Sequence, residues 1–369
     1  PDGAPRTVVP RAAGHEYAIE PAGETVFVLT NRDAPNGRLV DVPLAQAADP
    51  SAWRERLPHR EDVLLEDFAV FGNLSYDLSD ALELTLAFRW DEETPEDLTQ
   101  GRSETFRELQ PKASLAYRFN EDLLGYVTIG KGFRAGGFNN VAPGSNFQPG
   151  FDSESLISYE TGLKTSTAGG RLRAGLSLFF IDYTDQQYFL FDQTGTQANI
   201  NIPKSEIFGG ELELTAQPAD SLLLNLGIGF TDSEIVEYED IAGVLVPASD
   251  IVGRKVPGAP VLSIMFSGQH TATLNDSLDL VTRFDIEHRG KTYWTLDNLN
   301  TQESYNLVNL SVALEKENWS ARLFVDNLFD EAYQNHVTGI NRAAGSDIPV
   351  GERLWGAGRT LSAGLVYQF

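Results

Sequence analysis

The sequence predicts an all-β protein: a transmembrane, antiparallel, up-and-down β-barrel, of which about 13 strands are present. Three observations predict it. From residue 66 onward apolar residues alternate with polar ones, the period of an extended strand with one apolar face. The connections between these segments are short and long by turns. The chain also closes on an alternating segment whose last residue is aromatic, Phe369.

Residues 1–65 read as an irregular segment, an expected extracellular loop carrying the remnant of a strand. Prolines recur from Pro1 to Pro58 and break any period, leaving one strand candidate at 24–31. Residues 66–369 carry the barrel pattern. Phe68, Val70, Leu74 and Tyr76 lead into a turn at 77–80. Leu82, Leu84, Leu86, Phe88 and Trp90 then alternate with Glu83, Thr85, Ala87 and Arg89, completing a hairpin. Five more hairpins are expected, at 106–119 with 122–137, 154–165 with 170–189, 205–216 with 221–236, 259–274 with 277–290, and 303–316 with 318–328. A last strand covers 358–369. Tight turns fall inside the hairpins, at 120–121, 167–170, 218–220, 275–276 and 316–317. Long polar loops separate the hairpins, at 95–105, 138–153, 190–204, 237–258, 291–302 and 329–357. Short turns on one rim and long loops on the other are the layout of an outer-membrane barrel.

Strand length supports the same conclusion. These segments run about 11–16 residues, where strands of soluble proteins average about 5–6 and a tilted membrane strand needs about 9–11. Aromatics gather near the strand ends, as in Tyr117 with Phe119, Trp319, and Tyr367 with Phe369; interfacial girdles have this pattern. The faces opposite the apolar ones carry charge: Glu160 and Lys164, Arg173, Glu211 and Glu213, Arg283 and Asp285, and Arg322. In a barrel these point into the lumen. A soluble β-propeller is the competing architecture, because the hairpins recur every 40–54 residues. A propeller blade needs four short strands per period, and here there are two long ones.

Composition excludes several function classes. The net charge of −25 and pI of about 4.5 argue against nucleic acid as a partner. The absence of cysteine removes disulfides, thiolate metal sites and a Cys nucleophile. No apolar run reaches 18 residues, so no transmembrane helix is expected. The mean hydropathy of −0.23 is compatible with alternating barrel strands. No leader precedes Pro1, so a signal peptide is expected to have been removed or an N-terminal part to be missing.

Catalytic and metal chemistry find no support. His15, His59, His270, His288 and His336 lack ligand spacing, so no metal site, cofactor or enzyme activity is expected. The glycines of 132–137 sit at a strand end and suit a bend at the rim. Glu211 and Glu213 share a strand face, a geometry that glycoside hydrolysis uses and that a lumen wall explains more simply. The acidic runs Asp91, Glu92, Glu93 and 237–240 read as solvated loops rather than Ca²⁺ sites. Ligand contact is expected where strands meet the long loops, from Phe133, Arg134, Phe138 and Asn139, from Tyr293 and Trp294, and from Tyr333 and His336. Aromatics with a few polar groups suit a bulky organic ligand.

Four stretches together resemble the barrel of TonB-dependent outer-membrane receptors. They are YVTIGKGFRAGGFNN (126–140), SYETGLK (158–164), LFVDNLFDEAY (323–333) and the closing GLVYQF. Over the last residues of the chain, the spacing of Ser362, Gly364, Tyr367 and Phe369 is similar to the insertion signal read by the barrel-assembly machinery. The resemblance implies a barrel of about 22 strands in the outer membrane of a Gram-negative bacterium, enclosing an N-terminal plug gripped by TonB. Counted back from Phe369, the first clear strand is the tenth, so the plug, the TonB-binding segment and nine strands are expected to be missing. The charged lumen residues would then contact the plug. A ferric siderophore is the implied ligand, with glycan fragments, cobalamin or a passive plugless pore as alternatives. An odd count of 13 strands with an open edge in lipid would be unstable alone or would have to close in an atypical way.

Overall fold

The computed structural model describes residues 17–22, 25–34, 38–57, 68–97, 99–141, 147–191, 197–240, 247–340 and 350–368. Phe369, the last member of the expected insertion signal, lies outside them. The chain divides into two compact units, residues 1–72 with 88–109, and residues 73–87 with 110–369.

The first unit differs from the irregular loop expected for residues 1–65. Four short strands, β1 (Tyr17–Ala22), β2 (Thr25–Thr30), β3 (Arg38–Pro43) and β4 (Arg54–Leu57), form an antiparallel sheet in sequence order. Val26, Val28, Val40 and Val42 alternate onto one face and bury themselves with Ala47, against Ala52 and Trp53. The prolines that hid this sheet sit where a missing N–H does least harm: Pro21 on the edge strand and Pro43 at the end of β3. On β3 Asp41 is 2% exposed, and its carboxylate accepts from Arg54 Nη2 at 2.8 Å and from Arg56 Nε at 2.9 Å.

Thirteen longer strands form one antiparallel sheet. They are β5 (Phe68–Ser79), β6 (Leu82–Glu93), β7 (Phe106–Asn120), β8 (Leu123–Arg134), β9 (Glu154–Thr167), β10 (Leu172–Phe191), β11 (Gln197–Ala219), β12 (Leu222–Glu237), β13 (Leu262–Asn275), β14 (Leu278–Arg289), β15 (Tyr305–Lys316), β16 (Trp319–Asp326) and β17 (Thr360–Tyr367). Each pairs with its sequence neighbour, the up-and-down order the sequence predicts. Among the described residues no helix is long and apolar enough to cross a membrane.

Two corrections concern the outer loops. The connection expected over 190–204 is mostly strand, because β10 and β11 stay paired from Phe191↔Gln197 downward. The pairing skips Asp185, whose φ of 54° lets the strand bend and continue. Other outer connections carry two-stranded ribbons, at 137–138 with 150–151, 292–293 with 301–302, and 334–340 with 350–355.

Register assigns the two faces. Glu160 lies opposite Thr128 and Phe179, Lys164 opposite Leu124 and Gly175, and Glu213 opposite Gly175 and Gly227. Glu211, Arg173, Arg283, Asp285 and Arg322 fall on the same polar face by the two-residue period. The other face exposes large apolar side chains, among them Ile129, Leu163, Leu176, Phe180 and Phe208. Such a continuous apolar surface marks contact with membrane or partner.

Candidate functional site

The polar face holds its charges by pairing them. Tyr126 donates its hydroxyl to Glu160 Oε1 at 2.5 Å, and the Lys164 ammonium stands 5.4 Å from the Tyr126 ring centre. Arg283 binds Asp285 two residues on, and Arg322 reaches Glu315 at 3.4 Å. Beside the short turns, a concave region of about 510 Å³ is lined by Arg118, Lys164, Arg173 and Glu213. Of the eight expected lumen residues, Arg283, Asp285 and Arg322 are in ion pairs and Lys164, Arg173 and Glu213 line this concavity, and all eight share the face.

At the opposite end, β10 and β11 run past the other strands into an apolar cluster of their own. Leu190, Ile200, Ile202, Ile235, Ile251 and Leu296 are buried in it, joined by Phe147 and Tyr238. Burial of this kind stabilises by roughly 1.5–3 kcal/mol per large side chain. Ile251 comes from a helical turn, Ala248–Ile251, and Leu296 from the loop after β14. Tyr188 packs against the cluster and donates its hydroxyl to the Trp294 carbonyl at 3.2 Å. Burial pushes the hydroxyls of both tyrosines up, Tyr188 far and Tyr238 to about 12.

The loop bearing Trp294 is fixed by its own polar residues. Thr295 donates to Asp297 Oδ1 at 2.7 Å. Asn298, at a φ of 57°, donates to the Lys255 carbonyl and accepts from the Lys255 amide. Asp297, Thr295 and Asn300 are all buried. Trp294 then meets His336 edge-on, ring centres 5.4 Å apart, and Tyr333 stacks on Tyr305 at 4.7 Å. Trp294 of the second group of expected ligand residues and His336 of the third are thus brought together. Tyr293 lies beneath the Lys291 ammonium, whose ion pair with Glu303 raises its pKa.

The first group does not converge as a unit. Asn139 is 5% exposed; its Nδ2 donates to the carbonyls of Gln148 and Asn199, and its Oδ1 accepts from the Asn199 amide. It staples its loop to β11. Phe133 falls on the apolar face of β8, opposite Ser155, while Arg134 is exposed opposite Glu154. Phe138 sits in the short ribbon opposite Gly150. Sequence reasoning missed Tyr188, Thr295, Asp297 and Asn298. The only trace of the last three was a polar run after an aromatic pair.

The closing motif is likewise structural. Asn327, at a φ of 50°, accepts from the Glu331 amide and donates to the carbonyls of Glu331 and Ala357. The Asp330 carboxylate accepts from the Arg359 amide at 2.7 Å. Ser362 and Gly364 face the polar side of β17, opposite Phe324 and Arg322, while Tyr367 lies opposite Trp319 on the other.

Comparison with known proteins matches this architecture. Residues 36–328 match the family model described as TonB dependent receptor-like, beta-barrel. The pesticin receptor of Yersinia enterocolitica is 24% identical over 229 residues, covering 60% of this chain and 31% of that protein. Among solved structures, the ferric yersiniabactin uptake receptor FyuA of Yersinia pestis superposes with a TM-score of 0.65 at 18% identity, covering 96% of this chain and 53% of that one. The ferripyoverdine receptor of Pseudomonas aeruginosa gives 0.60 at 15% identity, covering 94% and 45%. The chain thus spans about half or less of the length of these relatives. With 13 paired strands in this order and a family model matching most of its length, the chain belongs to the TonB-dependent receptor-like β-barrel family.

Proposed function

We propose that this chain is barrel sequence of an outer-membrane receptor that imports a ferric siderophore under the control of TonB. The observation that carries the reading is the outer assembly. Trp294 and His336, from two separate loops, meet edge-on above a shelf with its own apolar core. Rigid aromatics with few polar groups suit an aromatic or heterocyclic chelate. The names of the similar proteins point the same way, since they are receptors for iron-bearing siderophores. The charged polar face would line the lumen and contact a plug carried elsewhere in the receptor, and the apolar face would meet outer-membrane lipid. Assembly would proceed through β17.

The test is uptake by iron-starved cells expressing the full-length gene, offered radiolabelled iron on catecholate, hydroxamate and phenolate chelators in turn. The expected result is uptake of one class, lost on removing TonB and lowered at least tenfold in affinity by Trp294→Ala. Uptake unchanged without TonB would overturn the energised mechanism. Equal uptake of free sugars and no chelate would overturn the siderophore assignment.

A further inference from the structure

Behind Trp294 lies a second, enclosed space. It measures about 60 Å³ and is lined by Arg289, Thr292, Trp294, Gln302, Tyr305 and Gln334. A siderophore does not fit in that volume, but water does, since one water needs about 10–15 Å³. Its wall is deeply buried: Thr292 and Tyr305 are each 3% exposed and Gln334 is 8% exposed. Two of its residues carry complementary polar atoms that find no partner among the described residues. Trp294 Nε1 is a donor, and Gln334 Oε1 is an acceptor. The backbone of Gln334 is already committed, its amide donating to Gln302 Oε1 at 2.8 Å. Native proteins rarely leave buried donors and acceptors of this kind unmet.

We propose that this cavity is a bound-water site, in which water accepts from the Trp294 N–H and donates to Gln334 Oε1. The site ties the ribbon 334–340, which carries His336, to the loop that carries Trp294. The two rings of the outer aromatic pair, already in edge-on contact, are then also tied to each other from behind through a water. Thr292 supplies a further hydroxyl in the wall; its bond to the Gly290 carbonyl is long, at 3.4 Å. A bridging water is nearly as good enthalpically as a direct hydrogen bond. This inference does not depend on which ligand the receptor carries.

The test uses the full-length receptor in detergent, as wild type, Trp294→Phe and Gln334→Met. Ultraviolet resonance Raman, taken as wild type minus Trp294→Phe, isolates the Trp294 indole band that reports N–H hydrogen bonding. That band is expected at its hydrogen-bonded position, and in Gln334→Met it should shift to the free position. A high-resolution crystal structure of the wild type should show water density between the two side chains. An indole band at the free position in the wild type would overturn the proposal. So would a direct Trp294–Gln334 contact with no density between them. If Gln334→Met does not fold, the wild-type spectrum and density decide alone.

Discussion

The ring of Tyr126 occupies the space that any side chain on Gly162 would need. The two residues are directly paired across β8 and β9, and a Cβ on Gly162 would stand 2.7 Å from two ring carbons and 2.7 Å from the Leu176 carbonyl oxygen. Glu160 takes the Tyr126 hydroxyl and Lys164 approaches its ring. The stretch 126–140 and the stretch 158–164 are thus two halves of one cross-strand contact. Replacing Gly162 by Val should cost about 1–3 kcal/mol of barrel stability through overpacking. Gly175, on the same face with nothing within 4 Å of its would-be Cβ, should accept Val within about 0.5 kcal/mol. Urea unfolding midpoints of the full-length receptor compare the two; equal shifts would sink the steric account.

Asn327 should prove the anchor of the last outer loop. Its amide makes three backbone hydrogen bonds from a left-handed conformation. Each bond is worth about 0.5–1.5 kcal/mol, and Ala also tolerates that backbone poorly. Asn327→Ala is therefore expected to loosen residues 328–340 and 350–359 by about 2–3 kcal/mol. Hydrogen exchange should rise there and stay unchanged in β10 and β11. Unchanged protection over 328–340 and 350–359 would show that these residues are held by other contacts.

Acid should open the four-stranded sheet of the first unit. The hydrogen bond from the Arg56 guanidinium, aided by Arg54, holds the Asp41 carboxyl below the usual carboxylate range. A depressed folded pKa contributes stability that is present above the unfolded value of about 3.9 and disappears as pH falls through the folded value. Exchange protection over 38–57 should drop as pH falls below about 4, and Asp41→Asn should be weaker at neutral pH and flat across that window. A wild-type profile as flat as the variant's would disprove it.

Alkali should act on the outer shelf instead. In the proposed membrane placement a strand needs only about 10 residues to cross, so Tyr188, near the outer end of β10, and Tyr238, just after β12, stand beyond the crossing segments. Burial raises both hydroxyls above the free value of about 10. The neutral forms are favoured in the fold, so this stability is complete below about pH 10 and is lost as pH climbs toward and past 12. Two tyrosinates should appear late, together with exposure of the cluster to an apolar dye. Early, simple titration of both would contradict their burial.

The strands of the large sheet were legible because each answers to a two-residue period, and a long alternating run admits few other structures. The ends were not. Residues 190–204 look like loop because Asp185, Asn199 and Pro203 break the alternation just where β10 and β11 leave the barrel wall. The N-terminal sheet was hidden by prolines that its edges tolerate. What Asn139 and Tyr333 touch was not legible locally, because a loop asparagine or tyrosine reads the same whether it faces solvent, a ring or a carbonyl sixty residues away. Such pairings are made by tertiary closure, which no local pattern encodes.

Strand β11 has 23 residues, about 75 Å of chain at about 3.3 Å per residue, and its two halves answer to different demands. The inner half alternates between the polar and the apolar face of the large sheet. The outer half is held by nine buried residues gathered from β10, β11, β12 and three neighbouring loops. A substitution on the exterior of that shelf leaves the register of the large sheet untouched. Sequence change in the outer loops can therefore accumulate without disturbing the alternation on which the long strands depend.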